Sequence, residues 1–128
     1  MARKKGKGTE LSVFKGREAK LNRAIFQTLT LKGPRTIYDM YKQIRRTKGF
    51  KRAHYGNLNK RVRALEKMGY VKAVDIRNTK AGFEAVVYEP TARAYLAVML
   101  SRISLDDLLH LINDDIASEI LAALARLF

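Results

Sequence analysis

The chain is 128 residues long, 47% hydrophobic and free of cysteine, and it carries 26 Lys plus Arg against 12 Asp plus Glu, a formal net charge of +14. That is enough apolar material for the core of one ordinary domain, and the missing cysteines exclude disulfides, thiolate metal sites and a cysteine nucleophile. No apolar run approaches the length of a membrane span and none follows the N-terminal cations as a signal peptide requires, so the sequence reads as a soluble, cytoplasmic protein whose excess charge asks for a polyanionic partner. The charge is uneven: residues 101–128 hold two arginines against five acids, a net of −3, which leaves +17 on residues 1–100. Two modules with different jobs are implied.

Residues 1–17, MARKKGKGTELSVFKGR, combine Arg3, Lys4, Lys5 and Lys7 with glycines and keep no apolar period. They read as a flexible basic arm that seeks phosphate, against the plainer alternative of a solubilising tail. From Glu18, the residues Leu21, Ala24, Ile25, Thr28 and Leu29 recur at helical spacing until Gly33 and Pro34, which predicts a first helix over about 18–31. Thr36 then stands as an N-cap with Asp39 three residues on, and Ile37, Met40, Tyr41 and Ile44 line one face of a second helix reaching about Arg46. Gly49 breaks the pattern, and a third helix begins near His54 to Asn57. In it Leu58, Val62 and Leu65 form a core stripe; at about 100° per residue Gly56, Lys60, Arg63 and Lys67 fall opposite, flanked by Asn57 and Asn59. Gly69 is expected just past its end.

Two runs rich in Val, Ile and Tyr, YVKAVDIR at 70–77 and FEAVVYE at 83–89, are separated by NTKAG and predict an antiparallel hairpin with Arg77 and Lys80 at its turn. Pro90 is expected in the first turn of a further helix that runs to about Leu100. Ser104 with Asp107 marks another N-cap. Leu105, Leu109, Ile112, Ile116, Ile120, Leu124 and Leu127 then step mostly by fours and threes, either in one helix or in two split at Asn113.

Three helices, the third cationic on its outer face, then a two-stranded hairpin and a closing helix, resemble the winged helix-turn-helix fold of prokaryotic and archaeal MarR-like or PadR-like transcriptional regulators. KGPRTIYDM at 32–40 is similar to the entry to their second helix and RALEKMGYV at 63–71 to the exit of their recognition helix. DIR at 75–77 is similar to the aspartate-x-arginine at the MarR-like wing base, and YEPTARAYL at 88–96 resembles the passage that follows the wing. The resemblance covers about residues 18–100. It departs in a longer interval from Arg77 to Thr91 and in AHYGN at the start of the third helix, where such families usually place small hydroxylated residues. It implies a fold that is α+β, mostly α: three helices plus a two-stranded β-wing, with C-terminal dimerisation helices beyond. The third helix would then enter a major groove, and the wing would meet the backbone or the minor groove.

Residues 42–63 contain nine Lys or Arg and no acid, whereas a merely solvated face mixes signs. The candidate DNA-binding residues are therefore Lys48, Lys51, Arg52, Tyr55, Asn57, Asn59, Lys60, Arg63 and Lys67, with Arg77 and Lys80 of the wing and Arg3, Lys4 and Lys5 of the arm. Lys60 and Arg63 are long enough for phosphates or guanine edges, and Asn57 and Asn59 suit adenine edges or phosphates. Tyr55 could stack on a base, meet a thymine methyl, or simply be half-buried packing. Arg77 could instead pair with Asp75 or with an acid of the second helix.

The apolar stripe Leu105, Leu109, Ile112, Ile116, Ile120, Leu124 and Leu127 covers too much circumference for one core to hide, so it is expected to dimerise, with folding back on its own domain as the alternative. A two-fold pair would set two recognition helices against successive major grooves. No catalytic role, metal or cofactor is expected: His54 and His110 lie in different modules without partners at ligand spacing, and no glycine-rich phosphate loop with its lysine is present. The modules are a basic arm at 1–17, a DNA-binding domain at 18–100 and a dimerising segment at 101–128. The expectation is a homodimeric, sequence-dependent double-stranded-DNA-binding protein, a transcriptional regulator associated with the nucleoid. A low-specificity chromatin-like protein and an RNA-binding component of a ribonucleoprotein are the alternatives.

Overall fold

A computed structural model of the protein describes residues 11–128. After a single 3-10 turn at Ser12–Phe14 come α1 (Ala19–Lys32), β1 (Arg35–Thr36), α2 (Ile37–Arg45), α3 (Tyr55–Lys67), β2 (Val71–Asn78), β3 (Glu84–Pro90) and α4 (Ala92–Leu100). The chain ends in α5 (Leu105–Leu111), α6 (Asp114–Leu124) and a second 3-10 turn, Ala125–Leu127. The arrangement is mixed α+β and mostly helical, with one antiparallel sheet in the order β1-β3-β2, and it is compatible with a winged-helix fold.

The helices form where capping and apolar spacing agree. The Thr36 hydroxyl accepts the Asp39 amide at 3.1 Å and opens α2, and α2 buries Ile37, Met40 and Ile44. α3 buries Leu58, Val62 and Leu65, the stripe its sequence spacing marks. With Ile25 and Leu29 of α1 and Val71 at the start of β2, these side chains form the fully enclosed centre. Gly69 follows α3 at φ +84°, a left-handed conformation that a side chain would strain. A Cβ there would also stand 2.7 Å from the Arg93 guanidinium, which donates to the Met68 carbonyl at 2.7 Å. The Thr91 hydroxyl donates to the Gly69 carbonyl at 2.6 Å. The exit of α3 is thus tied to the start of α4.

Three expectations change. Residues 11–17, predicted as part of the arm, belong to the folded domain: Val13 and Phe14 are buried, the Phe14 ring meets Phe26 edge-on with centroids 5.7 Å apart, and the Asn22 amide donates to the Val13 carbonyl at 2.8 Å. The domain therefore begins by residue 11, and Arg3, Lys4 and Lys5 lie outside the described residues. Pro90 closes β3 opposite Val71 instead of opening a helix. The Thr91 amide bonds the Tyr70 carbonyl, so residue 90 faces away from β2 and past the end of two-residue β1, where a missing N–H costs nothing. Thr91 takes over as the N-cap of α4, accepting the Ala94 amide at 3.3 Å. The third strand, β1, is an addition: Thr36 pairs with Val87 and Arg35 with Tyr88, too short a run for sequence periodicity to mark.

The C-terminal stripe is divided, because the Asn113 side chain caps α6 by accepting the Ile116 amide at 2.9 Å and Ile112 is extended. No residue of α5 or α6 is buried. No helix among the described residues is long and apolar enough to cross a membrane.

Truncating the stripe that seats α3 tests this account of the core: Leu58→Ala is expected to destabilise the fold by about 2–5 kcal/mol in denaturant titration. A loss under about 0.5 kcal/mol, the range of surface changes, would contradict it.

Candidate functional site

With Leu58, Val62 and Leu65 locked inward, the opposite side of α3 has to face solvent. Gly56, Asn57, Lys60, Arg63 and Lys67 are exposed over this outer half, Asn59 is half-buried, and Tyr55, although exposed, lies on the side turned toward α2. At about 1.5 Å rise per residue, Tyr55 and Lys67 stand about 18 Å apart along the axis. Lys48, Lys51 and Arg52 are exposed in the loop that leads from α2 into α3, and Lys80 is exposed in the hairpin turn. That turn is closed by Gly82, φ +87°, whose amide bonds the Thr79 carbonyl at 3.0 Å.

Not every cation of this region faces outward in the same state. Arg61 turns back: its Nε donates at 3.2 Å to the Oδ1 of buried Asn22, joining α3 to α1. Arg77 leaves the hairpin to pair with Asp39 of α2, the second-helix acid that the sequence offers as its alternative partner. Asp39 also lies 3.9 Å from Lys42, so Arg77 is a brace between β2 and α2, and Lys80 alone represents the turn itself. Asn59 accepts from Arg63 Nε at 2.8 Å. Its amide oxygen thus helps to aim Arg63, one turn further along the same face, while its NH2 donors take no part in that bond.

Gly56 is informative because the fold does not ask for it. It sits in the first turn of α3 without a positive φ, and a Cβ placed there meets nothing within 4 Å. A helical glycine costs stability relative to alanine.

Two residues escape sequence reasoning. Tyr38 and Tyr41 of α2 meet Tyr55 of α3: ring centroids are 6.3 Å apart for Tyr38–Tyr41, 6.5 Å for Tyr38–Tyr55 and 5.5 Å for Tyr41–Tyr55. Lys42 Nζ lies 5.0 Å from the Tyr38 ring centre, and the Arg45 guanidinium 5.5 Å from that of Tyr41. Tyr38, Tyr41, Lys42, Arg45, Arg46 and Lys51 line an open hollow of about 440 Å³. Helical spacing places Tyr41 on the apolar face of α2, and only the packing of α2 against α3 reveals its neighbours.

Behind this face Tyr88 of β3 is buried. Its phenol is raised above the usual tyrosine range, chiefly by burial and then by the Glu66 carboxylate, with Arg63 acting in the opposite direction. It stays protonated at neutral pH and serves the core. Among the described residues no group of three or more His, Asp or Glu stands together as a metal site.

No family model matches the chain, and no curated protein matches it. Among solved structures it is similar to that of a candidate transcriptional regulator from Thermoplasma acidophilum, with 24% identity, a TM-score of 0.47, and coverage of 70% of this chain and 89% of that one.

If Gly56 is not required by the fold, Gly56→Ala stabilises the protein by about 0.4–1 kcal/mol, read as a higher thermal midpoint. A lower midpoint would return Gly56 to a purely structural role.

Proposed function

We propose that this is a winged-helix protein that binds double-stranded DNA through the outer face of α3, with the β2–β3 hairpin as the wing, and acts as a homodimeric transcriptional regulator and not as an enzyme. The observation that carries this reading is the acid-free run of cations at 42–63, which passes from the end of α2 through the loop into α3, a helix whose other side is anchored in the core. A rigid cationic ridge meets phosphates at fixed spacing and without reorganisation, which a mobile set of lysines cannot do.

Three features favour duplex DNA over a generic polyanion. α3 is thirteen residues long and projects its exposed side chains along one line, the form that a major groove admits and the deep, narrow groove of A-form RNA does not. Arg63 is held by Asn59, so its fork is oriented in advance for guanine or a phosphate. Gly56 leaves room for close approach. Exposed Lys48, Lys51 and Arg52 of the loop before α3 and Lys80 of the hairpin turn are the further phosphate contacts of this reading.

The dimer rests on α5 and α6. Leu105, Leu109, Ile116, Ile120, Leu124 and Leu127 are all exposed, as are Leu111 and Leu121 on the other flank, and α4 adds exposed Tyr95, Leu96 and Met99. Contiguous apolar surface of this extent marks an association site. Both helices are capped, with acids in their first turns, which favours their ends, but helices this short depend on a packed partner surface for their stability. A second copy of the chain is the occupant we favour, since two-fold pairing covers both stripes at once.

Lys60→Ala and Arg63→Ala are each expected to weaken duplex binding and to lower the slope of log affinity against log salt by about one where the contact is to phosphate. Gly56→Ala is expected to weaken binding although it stabilises the fold. Unchanged affinity in all three would place the interface elsewhere. Ile116→Glu is expected to give monomers in sedimentation and weaker DNA binding, because an unpaired charge is not buried in an apolar seam; a variant that stays dimeric would sink the C-terminal assignment.

A further inference from the structure

The three tyrosines that gather at the α2–α3 junction are more than the duplex reading uses. We infer that Tyr38, Tyr41 and Tyr55 form a stacking platform for an unpaired nucleobase, so that the protein also engages single-stranded nucleic acid. The inference rests on the binding face just proposed and extends it to a second kind of ligand.

The geometry is that of a notch, not of a closed cluster. The rings are tilted by 35° between Tyr38 and Tyr41 and by 53° between Tyr38 and Tyr55, with Tyr41 and Tyr55 edge to face at 86°. Tyr38 is 56% exposed and Tyr55 41%, so ring surface is presented to solvent although the domain core lies close by. A base within a duplex has both faces covered by its neighbours and has no free face to offer; an unstacked base has.

The rim supplies the other half of such a site. Arg45 is fixed by three donated bonds, Nε and Nη2 to the Lys51 carbonyl and Nη1 to the Tyr41 hydroxyl, each 3.2 Å. Its remaining N–H groups are therefore positioned in advance, and with Arg46, Lys42 and Lys51 it surrounds the 440 Å³ hollow with positive charge. Acid is confined to Asp39, which Arg77 and Lys42 already neutralise. Aromatic faces for the base and cations for its flanking phosphates are the two requirements of sequence-tolerant single-strand binding. Tyr41 packs against the core, but Tyr38 contributes nothing to it.

The test compares oligodeoxyuridylate and oligouridylate of about 15 nucleotides, which differ only in the sugar, with a duplex of mixed sequence, using the full-length protein at matched salt. The chain has no tryptophan and six tyrosines, so quenching of tyrosine emission reports stacking directly. The inference expects saturable quenching by the single strands, a loss of about fivefold or more in single-strand affinity for Tyr38→Leu with duplex affinity held within about twofold, and recovery with Tyr38→Phe, which keeps the ring. Whichever strand binds more tightly identifies the sugar the site prefers. Absent single-strand binding by the wild type, or equal losses on single strand and duplex in Tyr38→Leu, would overturn it. Duplex binding without single-strand binding sinks the platform and leaves the duplex reading intact, and single-strand binding without duplex binding does the reverse.

Discussion

The position of α3 decides what the rest of the molecule presents. Its three inward side chains, Leu58, Val62 and Leu65, are essentially inaccessible to solvent, and each is in a place that Met40, Ile44, Ile25 and Leu29 close from the other helices. Because side chains on a helix rotate by about 100° per residue, fixing three of them fixes the direction of all the others. The cations at 60, 63 and 67 have no choice but to face outward, and the loop before α3 leaves Lys48, Lys51 and Arg52 exposed as well. Charge that repels itself is tolerated there because hydrophobic burial on the opposite side outweighs it.

The polar contacts around that core divide the cations by role. Arg61 is spent on Asn22, Arg93 on the Met68 carbonyl and Arg77 on Asp39; each joins elements distant in sequence. Arg45 joins α2 to the α3 approach while keeping donors free. Lys60 makes no ion pair with any acid among the described residues, and Arg63 is oriented without being neutralised. A strongly basic chain thus uses part of its charge as internal bracing and leaves an aimed remainder, which a composition count cannot separate.

Much of this was legible in the sequence where local chemistry and tertiary structure agree. The core stripe of α3, the caps at Thr36 and Ser104, the turn glycine at 69 and the hairpin all rest on short-range rules, and the division at Asn113 was open as an alternative. Where the two levels compete, tertiary pairing prevails. Pro90 has the local preference for a helix start, yet the sheet takes it because its missing N–H faces no partner. Val13 and Phe14 are only two apolar residues among glycines and cations, too few to show a period, and their burial depends on Phe26 and Asn22. The tyrosine notch is illegible for the same reason: Tyr38 and Tyr41 acquire meaning only beside Tyr55, in another helix. The Asn59–Arg63 bond is illegible too, because either residue is equally plausible as a contact in its own right.

The claim on which the account depends is that the outer face of α3 is the surface that meets nucleic acid. Backbone chemical-shift mapping of the isotope-labelled protein on addition of a short DNA duplex examines it residue by residue, without altering a single side chain. The account predicts the largest shifts at Tyr55, Gly56, Asn57, Lys60 and Arg63 and in the hairpin turn around Lys80, with α1 and α4 nearly silent. Shifts centred on α4 to α6 instead, or none at all at moderate salt, would contradict it.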